Sequence, residues 1–309
     1  MAVQGALTGP RPQRMSLARR EAWEGYGFVA LWLVGFVVFY AGPMVASLLL
    51  SFTSWNLIGR IEWAGLDNYR QLVHDPIFWQ SLKVTGIYAS IAVPLDLFAA
   101  LILATLLNQK IRAVGWYRTL YYIPTILPGV VTAMVWRWVF NPQIGLINQA
   151  LALVGINGPL WLASPQWALP AIIVMSLWTI GGSMVIFLGG LQGVPVQLHE
   201  AAEIDGAGSW TRFWRITVPL VSPTIFFNLI TGMIGAFQVF TLPYIMTQGG
   251  PQYATEFYVL YLYDNAFTFH KMGYASAMAW IMFLIVVVLT LAQFRLSKRW
   301  VYYAGGDTL

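Results

Sequence analysis

The sequence predicts an all-α integral membrane protein with six transmembrane helices and both termini on the cytoplasmic side. Three observations carry this. Of the 309 residues, 58% are hydrophobic and only 9% are charged, against roughly 25% charged in a soluble domain. Six apolar runs reach the roughly 20 residues that a spanning helix needs. Lysine and arginine gather in the segments on one side of those runs, and that asymmetry sets orientation in a bilayer.

Residues 1–25 are polar and basic, with Arg11, Arg14, Arg19 and Arg20. The first apolar run covers 26–52. It exceeds the roughly 7–15 apolar residues of a signal peptide and lacks a small-residue cleavage site, so it reads as a retained helix. Further runs cover 81–107, 119–140, 166–191, 218–246 and 274–296. With the N-terminus inside, the inner segments hold twelve of the 17 Lys and Arg: Arg11, Arg14, Arg19 and Arg20; Lys110, Arg112 and Arg118; Arg212 and Arg215; Arg295, Lys298 and Arg299. The outer segments hold Arg60, Arg70 and Lys271, while Lys83 and Arg137 lie at outer span ends. The organisation is then a cytoplasmic segment 1–25, a six-span domain 26–296 and a cytoplasmic tail 297–309, with 304–309 expected to fray.

Composition also excludes. Cysteine is absent, so disulfides, thiol nucleophiles and Cys-ligated metals are ruled out. The net charge of +5 comes from short clusters beside apolar spans, which points to membrane orientation and not to nucleic acid. The 15 Trp suit interfacial belts. His74, His199 and His270 fall on different segments, two outer and one inner, so they share no metal. No Ser or Thr has a partnered His and acid, so an enzyme is not expected. No G-x-x-x-x-G-K-[ST] phosphate loop is present.

Between the spans, 54–79 is semi-polar and carries Trp55, Trp63 and Trp79, which predicts a surface-lying segment. The uncharged stretch 141–165 predicts a short interfacial helix over 146–154. Gly249-Gly250-Pro251 marks a turn. Several spans carry potential breaks: Pro94; Pro124 and Pro128; Gly181-Gly182; Gly232, Gly235 and Pro243. Broken helices line substrate paths in transporters. Gly and Pro are also more frequent in membrane helices generally, and at this level both readings stand.

The inner stretch 194–223 concentrates charge: Glu200, Glu203, Asp205, Arg212 and Arg215 lie between nearly uncharged neighbours. Pro195 suits a first helical turn, and 197–205 contains good helix formers. Gly206 suits a left-handed helix stop, Ser209 suits a cap for a second short helix over 210–216, and Pro219 and Pro223 mark entry to the next span. Leu198, Ala201, Ala202 and Asp205 share one face. Its alanines leave a flat strip for close approach, with Glu200 at the border.

Glu200-Ala201-Ala202, then Asp205-Gly206-Ala207, then Ile216, Val218 and Pro219 resembles the EAA loop of ABC importer permeases. Val218 stands where that family usually has Leu. Gly65-Leu66-Asp67-Asn68-Tyr69, Thr247-Gln248-Gly249-Gly250-Pro251 and Met272-Gly273-Tyr274-Ala275-Ser276-Ala277 extend the resemblance over nearly the whole chain, toward the maltose- and glycerol-phosphate-type permeases. The resemblance implies a type I ABC importer permease fold in the cell membrane. It implies that this chain forms half of a translocation path and a second permease subunit forms the other half. Two ATPase subunits, which hold the ATP and Mg, would receive the EAA loops (here about 194–217), and an extracytoplasmic binding protein would deliver substrate. The chain itself would bind no cofactor, nucleic acid or metal.

A sugar or oligosaccharide is the expected cargo, with glycerol phosphate or another polyol derivative as the alternative. Polar and aromatic groups at mid-depth of the broken spans are the candidate contacts: Ser176, Trp178, Thr179 and Ser183 in span four, and Asn228, Thr231 and Gln238 in span five. Each could equally serve as a hydrogen bond between helices, worth about 0.6 kcal/mol. Asp96 lies within span two, where a carboxylate costs roughly 2.5–3.5 kcal/mol, and Arg137 is a candidate partner by depth. Asp96 reads either as the proton or ion site of a secondary transporter or as a polar contact inside the assembly. The EAA loop favours the second.

Overall fold

The computed structural model describes residues 17–109 and 111–303. Arg11, Arg14, Lys110 and the tail 304–309 therefore lie outside the described residues. All the regular elements among the described residues are helical. The chain divides at Leu50/Ser51 into two units.

The first unit contains one long helix, α1 (Leu17–Leu50), of 34 residues. At about 1.5 Å per residue it exceeds the roughly 30 Å of a bilayer core. Within its own unit, its most apolar stretch is unburied. Trp32, Phe36 and Tyr40, spaced i, i+4 on one face, stack at 5.5 and 6.3 Å between ring centroids. A π-turn at Val37–Ala41 widens the helix ahead of Pro43.

The second unit starts with a surface helix, α2 (Asp67–His74), followed by α3 (Pro76–Leu107). Asp75 caps α3 by accepting from the amides of Ile77 and Phe78 at 2.9 and 3.4 Å, and Pro76 occupies the first turn. α3 runs unbroken through Pro94, so that proline does not interrupt the second span; membrane helices re-satisfy the freed backbone group locally.

The third span is broken. α4 (Val114–Ile126) and α5 (Gly129–Val139) meet at 100°. Leu127 precedes a proline and is extended, as the steric clash with the ring demands. A short helix, α6 (Leu146–Leu153), matches the expected interfacial helix to within one residue. The fourth span is also bent: α7 (Pro165–Thr179) and α8 (Gly181–Gln192) meet at 47°. Gly181 sits against the backbone carbonyl of Tyr121, where a Cβ would collide, so this glycine serves the close approach of α8 to α4.

α9 (Val196–Ile204) leads through a turn into α10 (Ser209–Phe237). Short α11 (Thr241–Met246) and α12 (Tyr258–Tyr263) precede α13 (Met272–Ser297). The predicted fifth span, 218–246, stops at Phe237 and resumes as α11. Among the described residues four helices are long and apolar enough to cross a membrane, or six if each bent pair counts as one span.

The framework is α3 packed between α8 and α10. Its buried face includes four alanines, Ala89, Ala92, Ala100 and Ala104, at 0–4% exposure. Small residues let helices approach where the surrounding lipid supplies no hydrophobic drive. Met184, Phe187, Leu188 and Val221 close on the lower half of that face. Ile172, Phe237, Phe257 and Leu260 close on the upper half.

Candidate functional site

The first candidate is the α9 turn. α9 starts one residue after Pro195, which is extended and acts as the flanking cap. Pro195 is thus outside the helix, not in its first turn. At the other end Gly206 has φ +80°. Its N–H reaches the Glu203 carbonyl at 3.0 Å, and that of Ala207 reaches Ala202 at 2.8 Å. This paired pattern is a complete Schellman stop, and it needs the left-handed residue in the middle. Ser209 is already helical and caps nothing. The expected separate helix over 210–216 is instead the start of α10, which passes Pro219 and Pro223 without a break. A π-turn at Phe213–Thr217 makes this possible. It contains Arg215, whose carbonyl the Pro219 ring would otherwise strike. Pro43 stands in the same relation to the π-turn in α1.

Glu200, Ala201, Asp205 and Gly206 are exposed, and Ala202, Ala207 and Ile216 are half-buried. Val196, Leu198 and Ile204 are 63%, 45% and 88% exposed, so α9 presents apolar side chains that none of the described residues covers. Arg212 pairs with Glu203 at 2.5 Å and ties α9 to the first turn of α10. An exposed pair of this kind contributes at most about 1 kcal/mol.

The second candidate is a two-lobed cleft at the other half of α10. One lobe, of about 170 Å³, is lined by Tyr88, Asp96, Ser176, Thr179, Asn228 and Gly232, among others. The other, of about 360 Å³, shares Tyr88, Ser176 and Thr179 and adds Thr132, Gln238 and Phe240. Ser176 and Thr179 thus line both lobes, Asn228 the smaller and Gln238 the larger. Ser183 stands behind it and donates to Asp96 Oδ2 at 2.6 Å. Trp178 does not line either lobe; its ring packs edge-on against Trp136 at 5.0 Å. Thr231 is exposed and bonds back to its own helix at the Phe227 carbonyl, 2.9 Å. Arg137 does not pair with Asp96; it reaches toward the Ile245 carbonyl at 3.5 Å. Tyr88 was not anticipated, since an aromatic residue in an apolar run is indistinguishable from core.

The third feature is a polar lock. Asp75 Oδ2 accepts from the hydroxyls of Tyr261 and Tyr274, each at 2.5 Å. Burial acts to raise the Asp75 pKa, but these two bonds and the helix-cap amides outweigh it, and the pKa falls below the usual carboxylate value. Burial, followed by the bond to Asp75, pushes Tyr261 up to about 12. Beside the lock, Asn68 donates to the carbonyls of Ser51 and Thr53, both at 2.8 Å, and Tyr69 meets the Ser51 hydroxyl at 2.7 Å. Gly273 lies against the Thr53 carbonyl, with no room for a Cβ. The segments Gly65–Tyr69 and Met272–Ala277 therefore close on the same piece of chain.

Residues 96–302 match the family described as binding-protein-dependent transport system inner membrane component. The chain is 45% identical over 294 residues to the probable ABC transporter permease protein YesP of Bacillus subtilis (strain 168), covering 94% of this chain and 95% of that one. It is 36% identical over 294 residues to the lactose transport system permease protein LacF of Rhizobium radiobacter, covering 93% and 98%. In structure it resembles a chain of a bacterial alginate ABC transporter solved in complex with an alginate pentasaccharide-bound periplasmic protein, with TM-score 0.78, 21% identity and coverage of 93% and 98%. These relatives are transport permeases, which leaves the ion-coupled alternative built on Asp96 unsupported. The all-helical fold, the bent spans and the matches over nearly the full length agree, and this chain belongs to the family of binding-protein-dependent transport system inner membrane components, as a permease subunit of an ABC transporter.

Proposed function

We propose that this permease forms half of the path for a neutral sugar or oligosaccharide and is driven through α9 by ATPase subunits. One observation carries the reading. α10 is continuous from Ser209 to Phe237, so the helix that holds the α9 turn at one end supplies Asn228 and Gly232 to the cleft at the other. Movement of a subunit seated on α9 reaches the cleft along one rigid element. The seat would be made by Glu200, Ala201, Ala202, Asp205, Gly206 and Ala207, with Ile216 and Pro219 in the first turns of α10.

The cleft chemistry supports a neutral cargo. Hydroxyl and amide groups from Tyr88, Ser176, Thr179, Asn228 and Gln238 line it together with the Asp96 carboxylate, and no Lys or Arg is among the lining residues. Carboxylates and amides suit sugar hydroxyls, whereas a phosphate ester would call for cationic donors. The lactose permease relative points the same way. Completion of the path requires a second permease subunit, two ATPase subunits carrying ATP and Mg, and an extracytoplasmic binding protein. The positive charge bias supports a cytoplasmic position for 1–25, the loop 194–217 and 297–309, with 26–296 as the membrane domain.

The test is co-purification of the ATPase subunits with the permease bearing Gly206→Leu or Glu200→Lys. Both variants should insert normally, lose the ATPase and lose uptake. Retention of the ATPase with wild-type uptake in both would refute the coupling role.

A further inference from the structure

At the end of α10 remote from α9, four rings from two separate segments form a continuous chain. Phe240 lines the larger lobe of the cleft. Its ring stacks on Tyr244 at 5.1 Å with an interplanar angle of 22° and leans on Tyr263 at 4.9 Å. Tyr263 contacts Tyr244 at 5.5 Å and Phe267 at 5.1 Å. Exposure rises along the series: Phe240 and Tyr263 are half-buried, while Tyr244 is 39% and Phe267 55% exposed. The series thus begins in the cleft and ends on the surface.

Aromatic rings such as Phe257 and Tyr258 are fully covered. This cluster is open along its length and places two phenols within it. A pyranose has an apolar C–H face and a rim of hydroxyls. The face fits the electron-rich face of an aromatic ring, and the rim fits phenol hydroxyls, which both donate and accept. The ring series carries no cation, and the Asp264 carboxylate lies next to Tyr263, so it offers stacking and hydrogen bonding without positive charge.

We infer that Phe240, Tyr244, Tyr263 and Phe267 form a stacking track that holds pyranose rings of a neutral saccharide between the surface and the cleft. The inference rests on the reading of the cleft as a sugar path. The occupant is the saccharide because the track is continuous with the polar cleft through Phe240. A subunit interface or a lipid-facing surface has no need of that continuity.

The test is saturation-transfer-difference NMR on the assembled importer without its binding protein, using glucose, lactose and maltotriose as probes. Transfer to pyranose C–H protons is expected in the wild type. Tyr244→Ala combined with Phe267→Ala should weaken binding about five- to tenfold, as loss of roughly 1 kcal/mol of stacking implies. Tyr244→Phe should keep the face and most of the affinity, and Asp96→Leu should leave transfer at the track in place. If transfer disappears with Asp96→Leu but is unchanged in the double alanine variant, the cleft binds sugar and the track falls. If none of the probes receives saturation, the sugar class falls with it. If the double variant loses the second permease subunit, the rings are a subunit contact and the inference is overturned.

Discussion

Ser183 Oγ donates a 2.6 Å hydrogen bond to Asp96 Oδ2, joining α8 to α3 beside the cleft. Ser183 follows closely on the bend at Gly181, so the carboxylate is held by the part of span four that has been turned aside. A charge-capable group at this depth is tolerated because it meets a hydroxyl and a polar cavity in place of lipid.

Asp96→Asn should preserve this arrangement, since an amide still accepts from the serine. ATP-dependent sugar uptake in proteoliposomes should stay within about twofold of wild type, a change worth under about 0.5 kcal/mol. Asp96→Leu removes a cleft acceptor and should raise the half-saturating sugar concentration roughly tenfold, equivalent to one hydrogen bond of about 1.4 kcal/mol. Ser183→Ala should lower thermal stability modestly, by about 0.6–1.7 kcal/mol. A large loss of uptake in Asp96→Asn with normal uptake in Asp96→Leu would contradict the acceptor role.

Gly206→Ala and Gly206→Leu test the turn that projects α9. At φ +80° any side chain costs about 1–2 kcal/mol, which falls on the turn and not on the spans. Both variants should assemble in the membrane, and the Tm of the isolated permease should fall by no more than a few degrees. ATPase activity stimulated by the loaded binding protein should fall at least tenfold in the leucine variant and less in the alanine variant. Equal activity in all three proteins would count against a fixed turn.

These elements differ in how far the sequence revealed them. The Schellman stop at Gly206 and the helix over Leu146–Leu153 were legible because a short stretch contains all of their determinants. The separate helix expected over 210–216 runs on past Pro219, because a π-turn is a local choice of hydrogen-bond partner that leaves no composition signal. The cleft was half legible. Polar residues at mid-depth stand out, but whether Thr231 faces the cavity or its own helix depends on rotation about α10, and a helix apolar on every side does not define that rotation. Tyr274 and Asp75, 199 residues apart in sequence, could not be paired from sequence at all.

That pair supports a stability prediction. Asp75→Ala removes the α3 cap and both tyrosine bonds, and leaves two phenols without their acceptor. The cost should be about 2–4 kcal/mol, combining a lost cap with unpaired polar groups. Tyr274→Phe should cost less, because Tyr261 retains the carboxylate. The depressed Asp75 pKa means that its contribution is present above the unfolded carboxylate value. It is lost as pH falls through the lower folded value. Stability of the wild type should therefore drop in acid below about pH 4, and Asp75→Asn should flatten that drop. Thermal melts across pH 2–6 in detergent would show it.

Glu256 should produce the opposite slope. It lies between α11 and α12 and is 4% exposed, with its carboxylate against Gly249 so closely that a Cβ there would collide. Burial first, and the nearby Asp264 second, raise its pKa from 4.5 to about 7. The folded state thus holds the proton more tightly than the unfolded chain. The associated stability is fully present below about pH 4.5 and is lost as pH rises through 7. Thermal stability should decline between pH 5 and 8 by on the order of 1–3 kcal/mol, a few degrees in Tm for a chain of this size. Glu256→Gln is neutral at every pH and should abolish the decline, exceeding the wild type at pH 8 and matching it near pH 5. Gly249→Ala drives a methyl into the carboxylate and strains a residue at φ +79°, so it should destabilise at both pH values. A wild-type melting temperature that is flat from pH 5 to 8, or a slope that survives Glu256→Gln, would place the proton elsewhere.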